Sequence, residues 1–122
     1  MNTELTAADI LERAADGFES GRYGWVKGVS YAKHPDGTEL YCATGALYHE
    51  AGLQRTSLIN TPEYREWCEI YSKADKALYE AIEFIGHGGV PGWNDYFAKN
   101  LAEVIEKIKQ AAKNLRNEEE AR

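Results

Sequence analysis

The sequence has few of the residues that usually mark a metal centre or a disulfide-stabilised fold. Its 122 residues include two cysteines, Cys42 and Cys68, and three histidines. The cysteines have no C-x-x-C spacing, and no H-x-x-x-H or H-E-x-x-H pair would place two metal ligands on one helical face. We therefore expect reduced thiols, no bound metal and no cofactor.

An excess of positive charge is also missing. Fourteen Lys and Arg residues stand against twenty Asp and Glu, which gives a formal net charge of -6. Phosphate backbones and anionic membranes are repelled by such a balance unless basic side chains are concentrated in one patch. Because the sequence has no basic cluster, we expect neither a nucleic-acid partner nor a membrane partner.

Long apolar runs are absent as well. A membrane-spanning helix needs roughly 20 consecutive apolar residues, and the N-terminus "MNTELTAADI" lacks the basic and then apolar order of a signal peptide. We therefore predict a cytoplasmic protein. Its length is typical of one domain. We expect a single domain over 1–122, with its core at about 6–115 and a charged tail, 116–122, that frays.

Four segments have apolar side chains at the three- and four-residue spacing of an amphipathic helix. The first and last of them begin with plausible capping pairs, Thr6 with Asp9 and Asn100 with Glu103. The third is the strongest and begins at a proline. The helices are predicted at about 6–21, 42–52, 62–85 and 100–115.

A β-hairpin is predicted between the first two helices. The stretch "WVKGVSYA" alternates in character, "HPDG" is a turn signal, and "TELY" follows as a second short run. The hairpin would extend from Trp25 to Tyr41. The predicted fold class is therefore α+β and helix-rich, with a short β-hairpin packed against about four helices in a single compact domain.

The glycine-rich stretch "IGHGGVPGWND", residues 85–95, suggests either a phosphate cradle or a bend between helices. A cradle usually adds a cation to the backbone N–H groups, but no Lys or Arg occurs between Lys76 and Lys99. We therefore favour the bend. In this interpretation Gly86 ends the long helix and Pro91 prevents it from resuming.

A cysteine nucleophile is one functional hypothesis. Cys42 lies at the predicted start of the second helix, where the helix dipole lowers the pKa of a thiol. His87 would then be the base and Asn94 or Asp95 its orienting partner, an order and choice of residue types similar to those of papain-like hydrolases. The alternative is that Cys42 is a small buried hydrophobic residue.

An aromatic binding groove is the second hypothesis. The sequence has eight tyrosines, three tryptophans and three phenylalanines, and Tyr and Trp anchor both protein interfaces and ligand pockets. A groove between the hairpin and the glycine-rich loop would draw on Tyr31, Tyr96 and the residues predicted to bind the ligand. Those ligand-binding residues are Trp25, Tyr41, Trp93, Asn94 and Asp95. For Asn94 and Asp95, capping of backbone N–H groups is the simpler role.

Three short motifs occur in order along the chain: G-W-x-x-G, C-A-x-G-A-L and W-N-D. Together they resemble those of a family of small uncharacterised proteins from bacteria, notably actinobacteria, and their phages. The resemblance implies an architecture and a bacterial or phage setting, but no activity. His87 lies outside the motifs, which weakens the cysteine hypothesis. The matching residues are Gly24, Trp25, Gly28, Cys42, Ala43, Gly45, Ala46, Leu47, Trp93, Asn94 and Asp95.

The sequence thus favours a small non-enzymatic accessory module of a phage or bacterium. Its partner would be a protein or a small molecule, bound through the aromatic groove. The alternative is a cysteine-dependent hydrolase or transferase that uses Cys42. The sequence does not decide between a monomer and a homo-oligomer.

Overall fold

The computed structural model describes residues 5–52, 62–83 and 88–120. Within these residues, five helices and a small three-stranded sheet form a single α+β domain, which confirms the predicted fold class. The elements are, in chain order, α1 (Ala7–Ser20), β1 (Gly24–Trp25), β2 (Tyr31–Lys33), β3 (Glu39–Tyr41), α2 (Ala43–Glu50), α3 (Pro62–Ile82), α4 (Gly89–Tyr96) and α5 (Leu101–Glu120).

Local capping starts the first and last helices where the sequence predicts. Thr6 and Asp9 form a reciprocal capping box, in which the Asp9 N–H donates to Thr6 Oγ1 and the Thr6 N–H donates to Asp9 Oδ2. At α5, the Glu103 N–H donates to Asn100 Oδ1 over 2.9 Å. Both arrangements satisfy backbone donors that have no partner inside the helix.

Helix α5 packs between α1 and α3 and contributes much of the core. It continues to Glu120, into the segment 116–122 that the sequence predicts to be a frayed tail. Within this segment, the Arg116 guanidinium lies 2.8 Å from both Asp9 and Glu12 of α1. These exposed ion pairs hold the last turns of α5 against α1, although each pair contributes less than about 1 kcal/mol.

The glycine-rich stretch contains a helix that the sequence analysis missed. Helix α3 ends at Ile82, and Glu83 adopts a left-handed φ of 54°. Gly88 then caps α4, with Pro91 as the third residue of that helix. Proline is tolerated in a first turn because its missing N–H would have no partner there. Pro91 therefore helps to start a helix instead of only blocking one. The proposed stop at Gly86 lies outside the described residues.

The sheet has the strand order β1-β3-β2. Strands β2 and β3 form the antiparallel hairpin, while β1 pairs with β3 in parallel, with Trp25 opposite Tyr41. The predicted hairpin is therefore real, but its first strand begins at Tyr31 and not at Trp25. After Val26 the chain leaves the ladder through Gly28, whose φ of 89° favours glycine.

Helix α2 begins directly after β3, and this junction positions the candidate site. The Cys42 N–H donates to the carbonyl of Ser30 over 3.2 Å. Gly45 lies against the same carbonyl, and a Cβ at this position would collide with it. The N-terminal turn of α2 is thus held close to the start of β2.

In the parts of the chain that the structure describes, no helix combines the length and the apolar character that crossing a bilayer requires.

Candidate functional site

A buried amide joins the three sequence motifs. Asn94 is 0% exposed, and we call this residue and its hydrogen-bond partners the Asn94 clamp. Its Oδ1 accepts from the Trp25 indole N–H over 2.6 Å and from the Ala43 N–H over 3.0 Å. Its Nδ2 donates to the Val26 carbonyl over 3.1 Å and to Asp95 Oδ1 over 2.9 Å.

These four hydrogen bonds use the full capacity of an amide side chain, which has two donor hydrogens and two acceptor lone pairs. The orientation of the amide is fixed, because the Ala43 N–H can only donate and the Val26 carbonyl can only accept. Asn94 therefore has no hydrogen-bonding capacity left for a ligand.

The neighbouring residues tighten the same junction. Asp95 Oδ1 also accepts from the Gly28 N–H over 2.8 Å. Lys27 Nζ donates to the Ala98 carbonyl over 3.2 Å and lies 5.3 Å from the centre of the Trp25 ring, within the range of a cation–π contact. The first residues after β1 are thus held to α4 through Val26 and Gly28, and to Ala98, which follows α4, through Lys27.

Close packing accounts for two of the three motif glycines, Gly24 and Gly45. A Cβ on Gly24 would lie 2.6 Å from Leu40 Cδ2, and one on Gly45 would collide with the Ser30 carbonyl oxygen. Trp93 is 5% exposed and belongs to the core. These described motif residues therefore have structural roles.

Cys42 is the N-cap of α2. Its Sγ accepts from the Gly45 N–H over 3.2 Å, and the side chain is buried. Burial raises the pKa of the thiol, the Gly45 and Thr44 amides oppose this effect, and the charge of Asp95 adds to it, so the pKa lies above its usual value. The expected lowering of the pKa is wrong, because desolvation outweighs the helix terminus.

The structure brings Asn94 and Asp95 close to Cys42, but neither is free to serve the thiol as the orienting partner of a base. His87 lies outside the described residues, the Asn94 amide is saturated, and Asp95 acts on the thiol as a like charge. Within the same residues, no three His, Cys, Asp or Glu side chains lie close enough to hold a metal ion.

A second region differs from the clamp because it is open. A cavity of about 560 Å³ lies between the β2–β3 hairpin, α2 and α3. Its volume falls within the range of about 300–1,000 Å³ that is typical of small-ligand sites. We call it the tyrosine pocket; its main lining residues are Tyr31, Tyr41, Tyr48, Tyr71, Glu39 and Thr44.

Register and helical spacing bring these side chains together. Tyr31 lies opposite Tyr41 in the β2–β3 ladder, and Glu39 is two residues before Tyr41, so all three share one face of the hairpin. Tyr48 follows Thr44 by one turn of α2. From α3, the ring of Tyr71 meets Tyr48 edge to face, with 5.6 Å between centroids.

Glu39 is the one charged side chain in the described lining. Its two carboxylate oxygens lie 3.4 Å from the hydroxyls of Tyr31 and Tyr41, respectively. The Tyr41 hydroxyl also lies 3.1 Å from Nδ1 of His49, whose ring stacks on that of Tyr41. These contacts fix the hairpin side of the pocket.

Polar groups on the α2–α3 side are less well satisfied. Burial raises the pKa of Asp75, and the nearby Thr44 hydroxyl only partly opposes this shift. Burial and then the charge of Asp75 raise the pKa of Tyr71 above its usual range. In the described structure neither Thr44 Oγ1 nor Asp75 Oδ1 has a hydrogen-bond partner of good geometry, which is uncommon for buried oxygens.

Of the residues predicted to bind a ligand, Tyr41 lines the tyrosine pocket, whereas Trp25, Trp93, Asn94 and Asp95 are not among its lining residues. Sequence reasoning missed Glu39, Thr44, Tyr48 and Tyr71. The alternating side-chain pattern of β2 and β3 indicates that Tyr31 pairs with Tyr41. Tyr71 lies within the apolar stripe of α3, and its spacing does not distinguish it from a core residue.

Comparison with known proteins places the chain in a family. No curated protein and no solved structure matches it. The model of DUF6197, a family of unknown function, matches residues 2–114, which include both the Asn94 clamp and the tyrosine pocket. The chain therefore belongs to this family of unknown function.

Proposed function

We propose that this protein is a non-enzymatic binding module that holds a small molecule, or a side chain of a partner protein, in the tyrosine pocket. The observation that carries the proposal is the open, tyrosine-lined cavity of about 560 Å³. The proposed setting is the cytoplasm of a bacterium or of a phage-infected cell, as the motif resemblance implies.

The accessibility of the pocket supports a binding role. Tyr31 is 46% exposed and Tyr48 is 37% exposed, so two of the aromatic walls are open to a ligand. Tyrosine offers a large apolar surface together with a hydroxyl group, which suits it to recognition sites. A pocket of this kind gains affinity by excluding water from the ring faces.

The rigidity of the surrounding structure also supports binding. Tyr41 is buried, and its ring meets Tyr23 edge to face at 4.9 Å. The Asn94 clamp fixes the start of α2, which carries Thr44 and Tyr48. A pocket that is already ordered loses less conformational entropy when a ligand binds.

The chemistry of the lining favours binding over catalysis. The lining residues that the structure describes include no cysteine, histidine or lysine. A thiol nucleophile needs a general base or a lowered pKa, and the neighbouring Cys42 thiol has a raised pKa.

A ligand screen with a blocked variant tests this function. The variant Ser30→Trp would place a large ring at the mouth of the pocket, from an exposed position. The control Ser20→Trp makes the same change at an exposed site at the end of α1. Melting temperatures would be measured with a library of neutral, cationic and anionic compounds.

We expect at least one compound to raise the melting temperature of the wild type and of Ser20→Trp by several degrees, and to leave Ser30→Trp unshifted. At about 100 times Kd, a ligand of the native state contributes about 2.7 kcal/mol. Compounds that stabilise Ser30→Trp equally well, or a screen without a hit, would contradict the proposal.

A further inference from the structure

We infer that the tyrosine pocket holds an organic ammonium group, that is, an alkylated or quaternary amine. Because this inference names the occupant of the pocket described above, it rests on the proposed function. Two features carry it: the arrangement of the four tyrosine rings and the sign of the charge among them.

Four tyrosine rings line one cavity from the hairpin and from both helices. Tyr31 and Tyr41 lie on the hairpin, with their planes at 47° and their centroids 5.3 Å apart. Tyr48 and Tyr71 lie on the two helices, with their planes at 89°. A cation in this cavity would lie beside aromatic rings, and the negative face of an aromatic ring attracts a cation.

The charge of the pocket complements a cation. Glu39 is half-buried and is the one charged group in the described lining. Its carboxylate favours a positive occupant, and the net charge of -6 adds a weaker attraction at long range.

Lys33 is the basic residue nearest to Glu39 in the ladder, directly opposite it in register. It is exposed, does not line the pocket, and makes no ion pair with Glu39 in the described structure. The Glu39 carboxylate instead lies 3.4 Å from the hydroxyls of Tyr31 and Tyr41, which line the pocket with it.

An anionic ligand fits this site poorly. The first turn of α2 adjoins the pocket, but the N–H of Ala43 is already bonded to Asn94, and that of Gly45 to Cys42 Sγ. These amides are not free to bind an anion, and Glu39 would repel it. A neutral aromatic ligand remains as the alternative that an experiment must separate.

The experiment compares choline with its neutral isostere 3,3-dimethylbutan-1-ol, by calorimetry and by the NMR signals of the tyrosine rings. Both probes have the same shape, so only the charge differs. We expect choline to bind at least tenfold more tightly than the alcohol. The cavity has room for a larger substituent, so choline is a minimal probe.

Three variants locate the effect. Glu39→Gln and Tyr48→Leu should each weaken choline binding about three- to tenfold, because they remove charge and a ring face, respectively. The control Tyr79→Leu changes an exposed tyrosine of α3 that does not line the pocket, and we expect no change in affinity.

The outcomes separate this inference from the proposed function. If the alcohol binds as tightly as choline and Ser30→Trp abolishes both, the pocket binds ligands but the preference for a cation is wrong. If choline does not bind, but another compound binds the wild type and not Ser30→Trp, the inferred ammonium group is wrong and the proposed binding function is supported. If no compound binds at all, the inference and the proposed function are both wrong.

A second binding experiment distinguishes two sources of the ammonium group, a free small molecule and a partner protein. Choline and tetramethylammonium represent a free small molecule, and a short peptide containing trimethyllysine represents a partner protein. A peptide that binds at least tenfold more tightly than either small cation assigns the group to a protein. Equal or weaker binding of the peptide assigns it to a metabolite.

Discussion

The Asn94 clamp and the tyrosine pocket lie on either side of the start of α2, and they differ in how their polar atoms are used. In the clamp, one buried amide makes four hydrogen bonds and has no capacity left. In the pocket, the rings of Tyr31 and Tyr48 are exposed. Next to it, the buried oxygens Thr44 Oγ1 and Asp75 Oδ1 have no partner of good geometry in the described structure.

This difference separates residues that build the fold from residues that are available for binding. A saturated polar network fixes one arrangement of the backbone, because any loss leaves buried groups unpaired. An open pocket with exposed tyrosine rings can exchange water for a ligand. The most distinctive sequence motifs therefore indicate the scaffold, and the less conspicuous tyrosines indicate the proposed site.

The largest effect should come from breaking the clamp. We expect Asn94→Ala to lower the free energy of unfolding by about 3–5 kcal/mol, since it leaves the Trp25 indole, the Ala43 N–H and the Val26 carbonyl without a partner. Urea unfolding measures this loss. In the control Asn114→Ala, on the exposed face of α5, the loss should stay below about 1 kcal/mol. A similar loss in both variants would disprove the structural role of Asn94.

Protection of the Cys42 thiol tests the same junction. Because the thiol is buried and its pKa is raised, we expect iodoacetamide at neutral pH to label Cys42 at least about 100-fold more slowly in the folded chain than in urea. Mass spectrometry distinguishes it from Cys68, which is only partly buried and should react sooner. Rapid labelling of Cys42 in the folded protein would contradict its burial and would support the hypothesis of a cysteine-dependent enzyme.

Adding a Cβ at the close approach between Gly45 and the Ser30 carbonyl should have an intermediate effect on stability. We expect Gly45→Ala to lower the free energy of unfolding by about 2–3 kcal/mol, because its Cβ would collide with the Ser30 carbonyl. Gly37→Ala is the comparison, since its Cβ meets open space and the cost is limited to its φ of 95°, about 1 kcal/mol. Equal costs at the two sites would show that the α2 junction is loosely packed.

The smallest effect should appear at Asp75 of α3, near the pocket residue Thr44, and have the opposite sign. The pKa of Asp75 is raised in the folded state, so its ionised form opposes folding. Stability should fall as the pH rises above the unfolded pKa of Asp, about 3.9. We expect Asp75→Asn to remove this fall and to give a small gain in the free energy of unfolding at pH 7.

Urea unfolding at several pH values measures the effect, and Glu80→Gln on the exposed face of α3 is the control. A loss of stability in Asp75→Asn at pH 7 would show that the carboxylate has a stabilising partner. The pocket would then resemble the clamp, and the comparison between the two regions would fail.

Local signals in the sequence predicted much of the fold. The Thr6 and Asp9 capping box and the Asn100 cap each depend on residues a few positions apart, and both are confirmed. The position of Trp25 was not predictable in this way. Its indole bonds to Asn94, 69 residues further along the chain, and this contact draws β1 out of the expected hairpin.

The candidate site was less predictable than the fold. Tyr41 was chosen because it belongs to a hairpin with aromatic residues, and it does line the pocket. Tyr71 belongs to the apolar stripe of α3, and the spacing of that stripe does not show where a neighbouring element stops covering the helix. The end of this coverage depends on how far α2 and the hairpin extend. Tertiary packing determines that extent, and the periodicity of α3 carries no information about it.

One NMR titration tests the division between scaffold and site most directly. The protein is titrated with the compound that stabilises it most in the screen, while the Trp25 indole N–H and the ring signals of Tyr31, Tyr48 and Tyr71 are observed together. We predict that the tyrosine signals shift with saturation and that the Trp25 signal stays in place. Saturable shifts of Trp25 without movement of the tyrosines would contradict the account, because binding would then occur at the clamp.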